Sequence, residues 1–371
     1  MPRSAFLGES TACPKWDNRA QPCSWLAITP ISFGVEYRLS PEMVNVAVIG
    51  ARGYLGRELM RLLVSHPDVE SLVPVSGSEA GKPYGESVPA FRHRTDLVMA
   101  GSAAAQKADV VFLAVDSEEA RHHAAALPDV PLLIDLSRAH RAEAFAKGSG
   151  WTYGLSEFLP VPEGTRRIAN PGCYPTATLV AAGPALKAHL TGPGPLISDG
   201  KSGVSGAGAS PRADLHYAET NEAVRAYKVL GHDHLGEIRL AANAVESNGL
   251  AAPVRPVRFT PHLVPQNRGL LATVYLPLKA GTDAATVKAA YATQYAKTPF
   301  VRLVAEPDTS HVRGSNFADV AVDVDVESGL IVARCAIDNL VKGGSGAAVQ
   351  NMNLALGLPV ALGLPAVGGG P

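Results

Sequence analysis

Short apolar segments alternate with amphipathic ones through the first half of the chain. The β-branched run 44–49 predicts a strand, and the leucines at positions 59, 62 and 63 recur on one face of a helix. The alternation continues with strands predicted over 72–75, 110–115 and 132–136 and a helix over 118–126. Such alternation is typical of parallel sheets, so the pattern predicts a doubly wound α/β fold up to about residue 170.

Longer alternating strands mark the second half. Strands are predicted over 196–198, 257–259, 271–276 and 320–326, and helices over 177–182, 286–297 and 347–356. This mixture predicts an α+β catalytic and dimerisation domain over residues 171–339. The last helix is expected to return to the first domain, which then comprises residues 43–170 and 340–371.

The two ends of the chain read differently from the rest. Residues 1–42 show no clear period, so they are expected to form a loosely ordered N-terminal extension, or Met43 is the true start. A basic start followed by a small-residue cleavage site is missing, which argues against a signal peptide. The Gly/Pro-rich tail from Pro359 is expected to be loose.

Composition narrows the function classes. The 371 residues carry a net charge of −1 and are 46% hydrophobic, with no basic stripe and no apolar run long enough for a membrane span. We therefore expect no nucleic-acid partner and no membrane. The four cysteines suggest neither a disulfide framework nor a metal site, which fits a cytoplasmic protein without a metal.

A glycine turn follows the first predicted strand and opens the first predicted helix. Its spacing, G-x-x-G-x-x-G, allows backbone N–H groups to approach a pyrophosphate at the helix N-terminus, as in Rossmann-type domains. A tight turn without a ligand is the alternative. The candidate cofactor-binding residues in this turn are Gly50, Arg52, Gly53, Tyr54, Leu55 and Gly56.

The tip of the second predicted strand distinguishes between the two nicotinamide cofactors. An NAD site usually has an acid here for the ribose 2′-hydroxyl, but this chain has Ser76 and Ser78, and its first acid, Glu79, comes later and is expected to point away. A 2′-phosphate could bond these serines, with Lys82 or Arg52 nearby. The sequence therefore favours NADP(H).

A single cysteine stands in the motif Asn-Pro-Gly-Cys-Tyr-Pro-Thr over 170–176. Pro171 and Gly172 form a turn before an apolar helix, which places Cys173 near a helix N-terminus. The helix dipole and free N–H groups there favour a thiolate, so we expect a lowered thiol pKa and a nucleophile. The alternative is a small buried core thiol.

Two histidines supply a candidate base. His232 and His234 would share a face in an extended segment and diverge on a helix. Histidine suits proton exchange near neutral pH, although a lone histidine is more often a surface or capping residue. We favour His234 as the partner of the sulfur, with His232 or Glu237 orienting it or binding substrate, and the choice between the histidines stays open.

Taken together, these motifs resemble the N-acetyl-gamma-glutamyl-phosphate reductase family, which is related to aspartate-semialdehyde dehydrogenase. The resemblance covers about 44–359, through the stretches 50–56, 153–155, 170–176, 201–208, 226–228, 232–237, 260–265 and 339–343. It implies attack of the Cys173 thiolate on the acyl phosphate of N-acetylglutamyl 5-phosphate, loss of phosphate to give a thioester, and reduction by NADPH to the semialdehyde. It also implies a homo-oligomer, dimer or tetramer.

The resemblance also implies further site residues. Ser205 and Gly206 would lie beside the nicotinamide, and Gln350 and Asn351 would close over the cofactor. Arg141 is the candidate bidentate clamp for phosphate or carboxylate, and Arg138 could share that task. The expected substrate-binding residues are Ser137, Arg141, Asn170, Lys201, Ser202 and Glu237.

The chain departs from the family pattern at two places. Arg138-Ala139-His140 stands where the family usually has Ala-Asp-Phe, and Val115-Asp116-Ser117 where it commonly has Pro-His-Gly. These changes leave the contacts there open. They are the only support for a dinucleotide-binding protein without catalysis; a reductase for the longer aminoadipyl homologue or for aspartyl phosphate is less favoured.

Overall fold

A computed structural model describes residues 43–94, 96–247 and 254–369. The prediction for residues 1–42 lies outside the described residues. No helix in the described ranges is long and apolar enough to cross a membrane.

The first half folds around a parallel sheet of six strands in the described residues, in the order β2-β1-β3-β4-β6-β5. The strands are β1 (Val44–Ile49), β2 (Val69–Val75), β3 (Val110–Leu113), β4 (Leu132–Asp135), β5 (Thr152–Tyr153) and β6 (Arg167–Ala169). The helices of this half are α1 (Tyr54–Leu63), α2 (Tyr84–Ser87) and α3 (Ser117–Ala126).

A mixed sheet forms the second half, with seven strands among the described residues in the order β11-β12-β13-β10-β7-β9-β8. They are β7 (Leu196–Gly203), β8 (Arg225–Ala226), β9 (Val257–Val264), β10 (Leu270–Pro277), β11 (Val301–Leu303), β12 (Ala318–Asp325) and β13 (Leu330–Ile337). Its helices are α4 (Cys173–Lys187), α5 (Tyr217–Thr220), α6 (His234–Ser247), α7 (Ala284–Tyr295), α8 (Thr309–Val312) and α9 (Gly346–Ala355).

Helix α4 is the centre of the second core. Its residues from Tyr174 to Leu186 are buried, against one face of the mixed sheet and against α6 and α7. Pro184 has no N–H to donate to the carbonyl of Val180, and the hydroxyl of Tyr295 donates to that carbonyl instead. Buried contacts on every side therefore hold the helix that begins at Cys173.

The last helix returns to the first sheet. Ala348, Val349 and Met352 of α9 pack in one core cluster with strand β1 and helix α1. The tail beyond Pro359 is held too, because Asn353 Nδ2 donates to the carbonyl of Leu362 (2.9 Å) and the N–H of Gly369 to that of Arg313 (2.7 Å). The expectation of a loose tail is wrong for residues 359–369.

Strand β7 is longer than the sequence pattern indicated. Lys201, Ser202 and Gly203, predicted as the start of a glycine-serine loop, continue the strand. Lys201 and Ser202 pair with β10 on one side, and β9 flanks β7 along its whole length. Hydrogen bonds on both sides override the weak strand propensity of these residues. The turn proper covers 204–207.

Candidate active site

Cys173 is the first residue of α4, at the point where the two halves of the molecule meet. Gly172 precedes it in extended conformation, and a Cβ added there would lie 2.5 Å from His234 Nε2 and 2.7 Å from Arg141 Nη1. Only glycine therefore lets the turn sit this close to both side chains. The Nε2 edge of His234 faces the turn that carries the thiol.

The side chain of Glu237 holds the turn before Cys173 in place. Its carboxylate is buried and accepts from the N–H of Gly172 (2.8 Å), the hydroxyl of Tyr153 (2.7 Å) and Nη1 of Arg141 (3.0 Å). Three hydrogen bonds from the protein thus occupy most of the roughly four lone-pair positions of the carboxylate. Glu237 lies three residues beyond His234 in α6, so it ties that helix to the cysteine turn, and the structure gives it a positioning role.

Arg141 is buried and its guanidinium is used inside the protein. Nε donates to the carbonyl of Asn170 (2.8 Å) and Nη2 to that of Leu136 (2.7 Å), while Nη1 reaches Glu237. A bidentate clamp needs a free pair of donors. The expectation that Arg141 clamps a substrate anion with its fork is therefore corrected: it braces the turn and leaves only Nη1 near His234 Nε2, at 3.4 Å.

The two predicted histidines meet although α6 begins at His234. The backbone N–H of His234 donates to Nδ1 of His232 (3.1 Å), and the ring centroids lie 4.8 Å apart. Both rings pack edge-on against Tyr174. Among the described residues, Nδ1 of His234 has no partner, so this imidazole is held by packing and by His232.

Burial sets the protonation of the pair. It raises the pKa of Cys173 to about 11, although the backbone N–H of Tyr174 and the charge of Arg141 act the other way. Burial, and then Arg141, hold the pKa of His234 well below its usual value. The expected lowering of the thiol pKa is wrong, because burial outweighs the helix N-terminus. A neutral thiol therefore faces a neutral imidazole at pH 7.

Two cavities open on Cys173. One, of about 500 Å³, is lined by Tyr174, Ser202, Tyr227 and both histidines. The other, of about 430 Å³, is lined by the glycine turn after β1, by Ser205 and by Asn339. They have in common Cys173, Gly206 and His234. A thiol and a base therefore stand where two separate ligands would touch.

The glycine turn fits a dinucleotide. Gly50 has a φ of +82°, and a Cβ there would lie 2.4 Å from the carbonyl oxygen of Ala114; a Cβ on Gly56 would lie 2.1 Å from that of Gly50. Gly53 caps α1 without a side-chain hydrogen bond, so the N–H groups of the first turn remain available to an anion. Gly53, Tyr54 and Leu55 line the second cavity.

The tip of β2 differs from expectation in one contact. Glu79 does not point away; it pairs with Arg52 (3.0 Å) and accepts from the hydroxyl of Ser87. A 2′-phosphate would compete with Glu79 for Arg52. Ser76 is half-buried and Ser78 exposed at this tip, and Lys82 is exposed as well.

Several predicted contact residues lie behind the cavities. Gln350 is buried and its oxygen accepts from Lys342 Nζ (2.7 Å) and Asn316 Nδ2 (2.8 Å). Asn351 donates to the carbonyl of Gly154 and to Asn170 Oδ1, both at 2.9 Å. Neither amide lines either of these two cavities, so the expected closure over the cofactor is corrected to support of the cysteine turn through Asn170.

Two further substrate candidates also point elsewhere. Ser137 is buried and its hydroxyl accepts from the N–H of Ala139 (3.0 Å). Lys201 pairs with Asp199 on the exposed side of β7. Ser202 remains on the wall of the first cavity, and Ser205, bonded to Asn339 Nδ2 (3.0 Å), on the second.

Structural roles explain the two departures from the family pattern. His140 Nδ1 donates to Asp135 Oδ2 (2.8 Å), and its ring stacks on Trp151, with ring centroids 3.7 Å apart. Asp116 caps α3 by accepting from the N–H groups of Glu118 (2.9 Å) and Glu119 (3.0 Å), at the rim of the second cavity.

Sequence reasoning assigned no role to a set of charged and polar residues on the first cavity, although three of them lay within matching stretches: Arg212, Asp214, Arg225, Tyr227, Lys228 and Asp233. It also missed Asn339, which fixes Ser205 and accepts from the N–H of Gly269 (2.8 Å). In the described ranges, no group of three or more His, Cys, Asp or Glu side chains could hold a metal ion.

Comparison with protein families and curated sequences agrees with this geometry. Residues 45–162 match the family described as semialdehyde dehydrogenase, NAD binding domain, and residues 173–339 the semialdehyde dehydrogenase, dimerisation domain. Two curated proteins named N-acetyl-gamma-glutamyl-phosphate reductase are similar over most of the chain. The one from Citrifermentans bemidjiense is 41% identical, over 87% of this chain and 98% of its own; the one from Saccharopolyspora erythraea is 42% identical, over 88% and 99%.

Solved structures share the fold at low sequence identity. Aspartate semialdehyde dehydrogenase II from Vibrio cholerae matches with a TM-score of 0.67 and 19% identity, over 84% of this chain and 98% of its own. Aspartate semialdehyde dehydrogenase with NADP from Candida albicans matches with a TM-score of 0.64 and 14% identity, over 85% and 99%.

Proposed function

This chain belongs to the N-acetyl-gamma-glutamyl-phosphate reductase family, and from that premise we propose that Cys173 performs the reaction as a covalent nucleophile with His234 as its base. The reaction is the NADPH-dependent reduction of N-acetylglutamyl 5-phosphate to N-acetylglutamate 5-semialdehyde and phosphate, a step of arginine biosynthesis. The observation that carries the proposal is that both cavities open on Cys173 and His234.

The first half of the mechanism starts from the neutral thiol of Cys173 and the neutral imidazole of His234. His234 accepts the thiol proton as the sulfur attacks the acyl carbonyl, so the thiolate forms only in the presence of the electrophile. The carbonyl–phosphate bond breaks and His234 passes the proton to the departing phosphate. The product on the enzyme is a Cys173 thioester.

The second half uses the other cavity. NADP(H), when bound along the glycine turn, supplies the hydride that reduces the acyl group. The tetrahedral adduct on Cys173 then collapses, which releases the aldehyde and returns the sulfur as a thiolate. The thiolate takes a proton through His234. The N–H of Tyr174 and the charge of Arg141 both favour the thiolate at that moment.

Residue roles follow from placement. We assign substrate contacts to Ser202 and Tyr227 on the first cavity, and cofactor contacts to the turn 50–56, Ser76, Ser78, Ser205 and Gly206. Arg141, Glu237, Asn170 and Asn351 support the cysteine turn. His232 orients His234 by accepting the backbone N–H of His234 at its Nδ1.

The wider organisation belongs to the same proposal. Residues 43–170 with 340–371 form the dinucleotide-binding domain and 171–339 the catalytic domain, supported by the two sheets. We further propose a homo-oligomer, dimer or tetramer, since 173–339 matches a dimerisation domain. The biosynthetic activity of the relatives supports a cytoplasmic location.

The reverse reaction tests the function. Purified protein with N-acetylglutamate 5-semialdehyde, inorganic phosphate and NADP⁺ should produce absorbance at the reduced nicotinamide band, and the signal should require phosphate. Cys173→Ser should lower kcat by at least about a thousandfold while NADPH binding stays normal. A serine variant of near-normal rate would contradict the covalent route, and a signal only with the one-carbon-longer aldehyde would move the substrate to the aminoadipyl homologue.

A further inference from the structure

An ion pair crosses the mouth of the first cavity. Arg138 and Asp233 join there, with 54% of the arginine side chain and 47% of the aspartate side chain exposed. Lys228 Nζ lies 4.0 Å from the same carboxylate. Exposed pairs of this kind contribute little to stability, so the fold alone does not explain two cations on one carboxylate at this place.

A second group of the same composition stands in the same cavity. Arg212 Nε donates to Asp214 Oδ1 (3.0 Å), and Arg225 Nη2 lies 3.6 Å from Asp214 Oδ2. Each carboxylate on the wall is thus shared by two cations, which leaves the described wall with a surplus of positive charge. The proposed substrate has two anionic ends, a carboxylate and a phosphoryl group, and the surplus matches it in sign.

Position along the chain shows which of the two ion-pair groups lies nearer to Cys173. Arg138 stands between Leu136 and Arg141, which both line the second cavity beside Cys173. Asp233 stands between His232 and His234. One bridging oxygen joins the phosphoryl group to the carbonyl carbon that Cys173 attacks, so the cations nearest the cysteine turn and His234 are the ones it would meet.

Arg141 cannot supply the clamp, because its Nε and Nη2 donate to backbone carbonyls. Arg138 is exposed, and its only described charged partner is a carboxylate at the cavity mouth. A phosphoryl group offers the guanidinium the same paired oxygens as Asp233 does, with more negative charge.

We propose that Arg138 is a substrate-binding residue that exchanges Asp233 for the phosphoryl group of the acyl phosphate, and for inorganic phosphate in the reverse direction. The inference rests on the proposed function for the identity of the substrate. Asp233 keeps the guanidinium at the cavity mouth when no substrate is present, with Lys228 as the second cation.

Reverse-direction kinetics test the assignment. Arg138→Gln should raise the KM for inorganic phosphate by about tenfold or more, the scale of one lost charge-assisted contact, and leave the KM for the semialdehyde nearly unchanged. Arg94→Gln is the matched control, since Arg94 pairs with Asp96 on an exposed surface outside both cavities and should change neither constant. An unchanged phosphate KM, or a rise confined to the semialdehyde KM, would overturn the assignment.

A second readout separates this inference from the proposed function. Inorganic phosphate should slow iodoacetamide alkylation of the Cys173 peptide in the wild type, measured by mass spectrometry, and Arg138→Gln should lose that protection. Equal protection in both proteins would overturn the inference even if turnover is normal. Protection that depends on Arg138, in a protein that does not turn over the semialdehyde, would uphold the anion site and contradict the proposed function.

Discussion

At the scale of residues, side chains from other segments hold the backbone of the turn that carries Cys173. Glu237 binds the N–H of Gly172 and Arg141 binds the carbonyls of Asn170 and Leu136, so the turn that carries Cys173 is held on both sides. The helix N-terminus does not lower the pKa of the Cys173 thiol, because burial of the sulfur raises that pKa and outweighs it. The thiol of Cys173 is therefore protonated at pH 7.

The pH dependence of alkylation follows from that state. With the pKa of Cys173 raised to about 11, the thiolate fraction at pH 7 is small and grows as pH rises toward the pKa. Alkylation of the Cys173 peptide by iodoacetamide should therefore increase roughly tenfold per pH unit from pH 7 to pH 10. A rate that levels off below pH 8 would show an activated thiolate and contradict the neutral pair.

How much of this could be read from the sequence depends on distance along the chain. The glycine turn and the position of Cys173 at the start of α4 are local patterns, and both are visible in a few consecutive residues. Arg141 and Glu237 bind atoms of distant segments, such as the carbonyl of Asn170 and the N–H of Gly172, and these pairings leave no mark in the sequence. The same holds for Arg212 and Arg225, whose shared carboxylate shows only once the chain is folded.

At the scale of elements, a π-helical turn, Val341–Ser345, closes the back of the site. Its Lys342 is fully buried and pairs with Glu157, and its Nζ also donates to Gln350 of α9. Gly343 of this turn lies against Cys173, where an added Cβ would stand 2.7 Å from the cysteine Cβ. The buried ion pair therefore helps to fix the distance between the turn and the nucleophile.

Gly343→Ala tests that contact. The new methyl group must displace Cys173 or the turn, and a shift of the nucleophile of about 1 Å can lower kcat by roughly a hundredfold. We expect that loss in a protein that still folds, as judged by its melting temperature and circular dichroism. Gly101→Ala is the control, because its Cβ would have nothing within 4 Å; equal kcat in both variants would refute the role of this close approach.

On the scale of the whole molecule, catalysis depends on how the two sheets are joined. The carboxyl ends of β1, β3 and β4 supply the cofactor side, and the end of β7 supplies Ser202 and the turn with Ser205. Arg268, between β9 and β10, connects these parts. It donates to Glu58 of α1 and to Asp338 after β13, both at 3.1 Å.

Arg268→Ala should therefore destabilise the molecule as a whole. It leaves the buried carboxylates of Glu58 and Asp338 without their shared cation, a loss we expect to lower the free energy of unfolding by about 3 kcal/mol. Urea denaturation at fixed protein concentration measures this, with Arg94→Ala as the exposed control expected to stay within about 0.5 kcal/mol. Similar losses in both variants would argue against a joining role.

Trapping the acyl-enzyme shows whether a thioester forms on Cys173. Enzyme mixed with N-acetylglutamyl 5-phosphate without NADPH is quenched in acid and digested, and the peptides are weighed by mass spectrometry. We expect the N-acetylglutamyl group on the Cys173 peptide, released as semialdehyde when NADPH is added before the quench. An unmodified Cys173, or acylation of another residue, in enzyme that turns over normally would contradict the thioester.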